Sequence, residues 1–339
     1  MAPRSESRRR SLAFAVVVGV ALLGTAIAAN RWTGWSAQQT AAGLVAHRGP
    51  APGLAGGATA TPADSGMAYS DVPLGARDGT KLAGWWIIPA DGRRRPDLAV
   101  VVMAHAADPA GRASLLRLAP ALHRAGYILL LFDFRSYGAS EGTRTTHGFL
   151  EQQDVEAALR LARERAVGAP VALYGAGMGA TAALLVAAQD PAVACTIVDT
   201  PWASWDAAFF ARPGAMGGEP GDLRRWRIAD LVPRVLVTRA LAGEVGFGLG
   251  MAAARSPAAA APLAASHPVM AIYGETDPFI PFQEQIRVVA GLGTPNATWA
   301  WRAPGAGHLG AYNSAPDEYR GRVVEFLDSA MGEWGRKRP

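Results

Sequence analysis

Two uninterrupted apolar runs, Leu98–His105 (LAVVVMAH) and Tyr127–Asp133 (YILLLFD), constrain this chain more than any other feature. A strand with one face in water alternates apolar and polar residues, so a run that is apolar throughout predicts a strand covered on both faces. The stretch between them, Ala113–Ala125, reads as a helix, and the same rhythm continues downstream. Phe149–Ala166 is predicted helical, with Val155, Ala158, Leu159, Leu161 and Ala162 set against Glu, Gln and Arg. Pro170–Tyr174 and Val193–Asp199 read as strands on either side of a helix at Met178–Ala188. A strand at Pro268–Tyr273, a helix at Pro281–Ala290, a strand at Ala297–Trp301 and a helix at Ala315–Met331 complete the pattern. Upstream, Asp71–Leu74 and Leu82–Pro89 flank Asp78-Gly79, a hairpin-turn pair. The expectation is an α/β fold, a mostly parallel sheet with helices on both faces and ligands bound at the carboxyl ends of the strands.

Composition narrows the function. Half of the 339 residues are apolar and 18% are charged, which excludes a disordered chain. The formal charge of +5 sits at the ends: residues 1–10 carry +3 and residues 336–338 carry +3, leaving −1 on everything between. A nucleic-acid binder needs its basic surface on the folded part, so no nucleic-acid partner is expected. Cys195 is the single cysteine, and no Cys/His spacing fits zinc; neither a metal nor a cofactor is expected.

The chain begins with Arg4, Arg8, Arg9 and Arg10, followed by 18 uncharged residues from Leu12 to Ala29. As a helix this run reaches about 27 Å, the short end of a membrane span. Trp32 and Trp35 follow where interfacial aromatics belong. Residues 1–30 therefore read as a membrane anchor that leaves the arginines in the cytoplasm and exports the rest, a single-pass protein of the cell membrane. The competing reading is a cleaved signal peptide, with Ala26-Ile27-Ala28 as the cleavage site and a secreted or periplasmic product. Residues 31–66, rich in Ala, Gly, Pro, Ser and Thr, read as a flexible tether. Residues 67–335 form the globular part, interrupted at about 202–266 by an aromatic- and alanine-rich insertion after the sixth strand.

Five short segments, in order and each at a predicted strand end, resemble the α/β-hydrolase superfamily. They are Val101-Val102-Met103-Ala104-His105-Ala106, Asp133-Phe134-Arg135-Ser136-Tyr137-Gly138 with Ser140-Glu141-Gly142, Tyr174-Gly175-Ala176-Gly177-Met178-Gly179, Gly274-Glu275-Thr276-Asp277 and Gly305-Ala306-Gly307-His308. Within that superfamily the chain resembles the membrane-anchored, serine-hydrolase-type proteins of the BEM46 kind. The resemblance implies hydrolysis of an ester, thioester or amide, with a small-molecule or acyl substrate or ligand. It assigns His308 as general base, Asp277 as the acid that orients it, and the backbone N–H groups of Met178 and Ala106 as oxyanion donors.

One position departs from the pattern. Where the G-x-S-x-G turn carries its serine, this chain has Gly177, which has no atom able to form an acyl-enzyme. Thr181 lies one helical turn further on and is expected to point away from the pocket; Ser136, Ser140 and Ser204 lie on loops near strand ends and are the alternative hydroxyls. Cys195 reads as a buried structural thiol and His105 as a strand-end turn residue. His47, His123, His147 and His267 have no partner pattern. Two readings follow: a hydrolase whose ordinary serine catalysis is impaired at Gly177, or a non-catalytic protein that binds a ligand or partner at the former active site.

Overall fold

The computed structural model describes residues 23–39, 60–89, 99–204, 208, 257–264, 266–293 and 299–337. The chain divides into two compact units, Met1–Leu44 with Gly218–Leu249 and Val45–Gly217 with Gly250–Pro339. In the first, the described part is one helix, α1, over residues 23–39, on which Leu23, Ile27, Trp32 and Trp35 are exposed. Residues 12–22 of the apolar run lie outside the described residues, and no described helix is long and apolar enough to cross a membrane.

The second unit is built on eight strands: β1 (Tyr69–Gly75), β2 (Lys81–Ile87), β3 (Val100–Ala104), β4 (Ile128–Phe132), β5 (Val171–Ala176), β6 (Cys195–Asp199), β7 (Val269–Gly274) and β8 (Ala300–Ala303). They form one sheet in the order β1-β2-β4-β3-β5-β6-β7-β8. The opening hairpin is antiparallel and joins β4 antiparallel; every later pairing is parallel. The α/β expectation with a mostly parallel sheet therefore holds. β3, β4, β5, β6 and β7 are buried at every position, the burial that their unbroken apolar sequence requires.

The helices are α2 (Ala119–Arg124), α3 (Gln152–Arg165), α4 (Met178–Ala187), α5 (Pro257–Ala264), α6 (Phe282–Gly291), α7 (Ala311–Ser314) and α8 (Pro316–Lys337). Side chains alternate across β5, and the two faces are covered differently. Tyr174 joins the core made with Tyr319, Val323 and Phe326 of α8 and Leu122 of α2, whereas Gly175 on the other face lies against the first turn of α4.

Two local stretches differ from expectation. The helix expected over Ala113–Ala125 is split into a 3₁₀ stretch, Gly111–Arg117, and α2, with Pro120 in the first turn of α2, where its missing N–H costs nothing. The stretch read as a tether is ordered at both ends: α1 extends through residue 39, and Pro62–Ser65 forms a 3₁₀ turn. In that turn Thr61 N–H donates to Asp64 at 2.7 Å, a capping box that tetherlike composition conceals. Of the insertion, only residues 202–204, 208, 257–264 and 266 are described.

At the far end of the sheet His267 is buried against Thr196, whose hydroxyl lies 2.9 Å from Nε2. Burial pushes this imidazole from its ordinary 6.5 down to about 4. The unfolded chain binds the proton more readily than the folded one, so stability is complete above pH 6.5 and is lost as the pH falls through 4. His267→Gln should remove about 2 kcal/mol from the fall in stability between pH 7 and pH 4.5, measured by urea unfolding. An identical fall in variant and parent would refute this.

Candidate active site

The carboxyl ends of β3, β5, β7 and β8 bring the expected residues together. β5 runs straight into α4 through Gly177, whose backbone sits at φ 53° and ψ −113°. This region is costly for any residue with a Cβ and easy for glycine. The turn is pinned from both sides: Gly177 N–H donates to the Asp199 carbonyl at 2.8 Å, and its own carbonyl accepts from Thr181 N–H at 3.0 Å. Close approach also dictates Gly179, because a Cβ there would collide with the backbone of Ala104 and His105. The strained strand-to-helix turn is thus present with its glycine neighbours, although its central residue has no side chain.

His308 and Asp277 form a dyad. Nδ1 of His308 lies 2.9 Å from Oδ2 of Asp277, whose side chain is fully buried while that of His308 is 19% exposed. The second carboxylate oxygen, Oδ1, accepts the N–H groups of Phe279 (2.8 Å) and Ile280 (3.0 Å), which fixes the carboxylate plane. The imidazole is held edge-on to Phe279 at 5.0 Å between ring centres and tilted against Trp202 at 5.8 Å. Nε2 has no partner among the described residues. The next residue, Leu309, adopts φ 51°, rare for a bulky side chain. That twist lays Leu309 against the elbow: a Cβ added at Gly177 would meet Ala106 Cβ at 3.3 Å and Leu309 Cδ1 at 3.4 Å.

The loop after β3 is placed by His105. Nδ1 hydrogen-bonds the Ala106 carbonyl, so that nitrogen carries the proton and Nε2 accepts the Phe134 N–H at 3.0 Å. Burial lowers the pKa of this imidazole, which agrees with a neutral, structural histidine. Among the described residues, the N–H groups of Ala106 and Met178 have no protein acceptor. Two free donors beside the elbow and an imidazole on the facing loop make an arrangement that can polarise a carbonyl and move a proton.

Two of the alternative hydroxyls, and that of Thr181, serve the scaffold. Ser136 donates to the Arg144 carbonyl at 2.8 Å and Ser140 to the Asp133 carbonyl at 2.6 Å, so both close the turn after β4. Thr181 donates to the Gly177 carbonyl at 3.2 Å and accepts the Trp202 N–H at 3.0 Å. Ser204 follows Trp202 and is half-buried; His47 lies outside the described residues. Cys195 is fully buried, and burial pushes its thiol up, as an inert side chain requires. His123 donates to the Ile88 carbonyl at 3.0 Å, and His147 stands at φ 54° on the loop over α4. The described residues contain no His/Cys/Asp/Glu cluster suited to a metal.

One part of the site escaped sequence reasoning. Beneath the elbow, Asp199 is fully buried and accepts the hydroxyls of Thr200 (2.8 Å) and Tyr319 (2.7 Å); Tyr174 in turn lies 2.8 Å from the Tyr319 oxygen. Burial raises the Asp199 carboxyl above the ordinary range, opposed by the charges of Arg117 and His308. The only hint in the sequence was a carboxylate ending an apolar strand; its tyrosine partner is 120 residues away.

A profile of the alpha/beta hydrolase family matches residues 101–322, most of the folded unit. The chain belongs to the alpha/beta hydrolase family. Among its relatives, an uncharacterised protein of Mycobacterium tuberculosis is 28% identical over 325 residues, spanning 94% of each chain. The uncharacterised protein YfhR of Escherichia coli O157:H7 is 26% identical over 266 residues, 77% of this chain and 81% of its own. In three dimensions this alpha/beta hydrolase resembles the esterase Pf2001 of Pyrococcus furiosus, with a TM-score of 0.61 at 22% identity, covering 84% of this chain and 98% of that one. The alpha/beta hydrolase GrgF of a Penicillium species gives 0.57 at 19% identity, covering 78% of this chain and 99% of the other. At these identities the likeness establishes the fold.

Proposed function

We propose that this protein is an exported, membrane-anchored hydrolase of the esterase, thioesterase or amidase type, similar to the BEM46 kind, in which the covalent serine step has been lost at Gly177. The observation that carries the reading is the elbow itself: the strained φ and ψ of a nucleophile turn persist at a residue without a nucleophile, beside an intact Asp277–His308 dyad. Water takes the nucleophile's part. Nε2 of His308 accepts a proton from water as its oxygen attacks the acyl carbonyl, Met178 and Ala106 N–H groups hold the developing oxyanion, and the same proton passes to the leaving group. Asp277 keeps the imidazole oriented and balances its transient charge. Hydrolysis without a serine retains on the order of 10³-fold over water, the residue left by binding and the oxyanion donors.

Two measurements test this. Wild-type protein should hydrolyse a p-nitrophenyl ester slowly, with no burst and with a further loss in His308→Ala. A fluorophosphonate, which reports a base-activated serine, should leave it unlabelled. Stoichiometric labelling at Ser136, Ser140 or Ser204 would replace this mechanism with a relocated nucleophile. Indifference of the esterase rate to His308→Ala would favour the second reading, a binding protein at the same pocket, for which the missing side chain at Gly177 speaks directly.

Membrane attachment rests on the arginines before Leu12, on the apolar run to Ala29 and on the exposure of Leu23 (62%) and Ile27 (53%) along α1. Protease added to spheroplasts should digest the folded unit, which should sediment with membranes. Full protection would refute export, and a soluble product starting near Ala29 would assign the segment as a cleaved signal.

A further inference from the structure

We infer that Gln285 is a positioning residue for the Asp277–His308 dyad, a single amide that braces the acid loop and, through the end of β7, the histidine loop. The inference rests on the acyl-site reading above and adds to it a residue outside the five strand-end segments. Gln285 lies one turn into α6, on the inward face that it shares with Val288, and is 3% exposed. A buried amide costs free energy unless it is hydrogen-bonded, so its presence on that face needs a reason. Its Nε2 donates both hydrogens, one to the Gly274 carbonyl at 3.1 Å and one to the Ile280 carbonyl at 2.8 Å. Two carbonyl acceptors fix the orientation of the amide, because a flipped group would set Oε1 against both oxygens. Oε1 itself has no partner among the described residues. The side chain is thus held by its donors alone.

The two carbonyls are the stems of the loop that carries Asp277. Gly274 ends β7 and lies so close to the histidine loop that a Cβ there would collide with the carbonyl oxygens of Ala306 and Gly307. Ile280 closes the loop. Its N–H donates to Asp277 Oδ1 at 3.0 Å, and its carbonyl accepts from Gln285. A shift of Ile280 therefore moves the carboxylate whose Oδ2 meets Nδ1 of His308 at 2.9 Å. Between the stems, Thr276 ties the acid loop to the histidine loop: its N–H and its hydroxyl both donate to the Ala306 carbonyl, at 2.8 and 3.0 Å. One amide of fixed reach sets the span from Gly274 to Ile280, and with it the place of Asp277 against His308. Small errors of placement at such a pair are costly, since about 1 Å can change a rate 10²-fold.

The test uses the full chain carrying Gln285→Met, which keeps the volume of the side chain and donates nothing. In protein labelled with heavy nitrogen at histidine, the Nδ1–H proton of His308 is assigned by its loss in His308→Gln. In Gln285→Met it should exchange with solvent about tenfold faster, the effect of losing two ordinary hydrogen bonds. With Gly177→Ser added to supply ester hydrolysis, Gln285→Met should lower kcat about 10–100-fold and leave KM unchanged, while urea unfolding stays cooperative. Gln285→Glu, of the same shape but without a pair of hydrogens to donate, carries the test if the methionine variant fails to fold. A ring proton that exchanges no faster would overturn the brace, and ester hydrolysis gained in Gly177→Ser alongside it would leave the acyl-site reading standing. A rise in KM matching the fall in kcat would mark a purely structural side chain and overturn the brace as well. If Gly177→Ser gains no hydrolysis, the ring proton decides alone: faster exchange keeps Gln285 as the brace of the dyad and removes only the acyl-site reading.

Discussion

Gly177→Ser should switch on hydrolysis of a short-chain p-nitrophenyl ester by at least about 10³-fold, well below the roughly 10⁶-fold that loss of the serine costs a complete triad. On the reading proposed above, the hydroxyl is the one group the site lacks. The turn already has the φ and ψ of a nucleophile position, Asp277 holds His308 at 2.9 Å, and two backbone donors are free. The same substitution should destabilise the protein by about 1–3 kcal/mol, because a Cβ must be carried at φ 53°. It also approaches Ala106 and Leu309 at 3.3 and 3.4 Å, close enough to require a small shift of either side chain. Kinetics together with urea unfolding read both effects. Adding His308→Ala should abolish the gain and bring the rate down to that of His308→Ala alone, since the new hydroxyl and the attacking water would both lose their base. A folded Gly177→Ser protein, inert to esters and to fluorophosphonate, would mean that the pocket has diverged beyond the elbow, and the binding-protein reading would take its place.

The largest loss of stability is expected from Arg135→Ala. Arg135 follows β4 and reaches α3, where its guanidinium contacts the fully buried Asp154, at 2.7 Å from Nη2 to Oδ1, while Nη1 reaches Asp78 at 2.7 Å. Asp154 also accepts the Arg135 backbone N–H at 3.0 Å. Burial nevertheless lifts the Asp154 carboxyl to about 6, so desolvation outweighs the arginine even in the intact pair. Removing the guanidinium leaves that carboxylate with no cation at its side, a loss of about 3–5 kcal/mol. Asp154→Asn in the Arg135→Ala background should recover part of it, because a neutral amide costs far less to bury. Additive losses in the double mutant, measured by denaturant unfolding, would show that the pair is not coupled.

The central strands were legible because burial on both faces leaves no polar position in runs such as YILLLFD. The order of the five strand-end segments was legible too, since each combines glycine with one chemical residue in a spacing set by a tight turn. That the elbow position carries no hydroxyl needed only the identity of residue 177. By contrast, the split of the helix before β4, the ordered turn at Pro62–Ser65 and the extent of α8 depend on capping and on contacts remote in sequence.

The sequence by itself determined the sheet, the positions of its loops and the chemistry missing from Gly177, because periodicity and residue type are local properties. Only the tertiary structure decided that the elbow keeps its strained backbone without the side chain that strain normally serves. It alone placed His308 against Asp277, 31 residues away, and Tyr319 against Asp199, 120 residues away. Such pairs arise when parallel strands bring their carboxyl ends to one edge of the sheet. The chain length between them carries no trace of that meeting, which burial and hydrogen bonding fix in space.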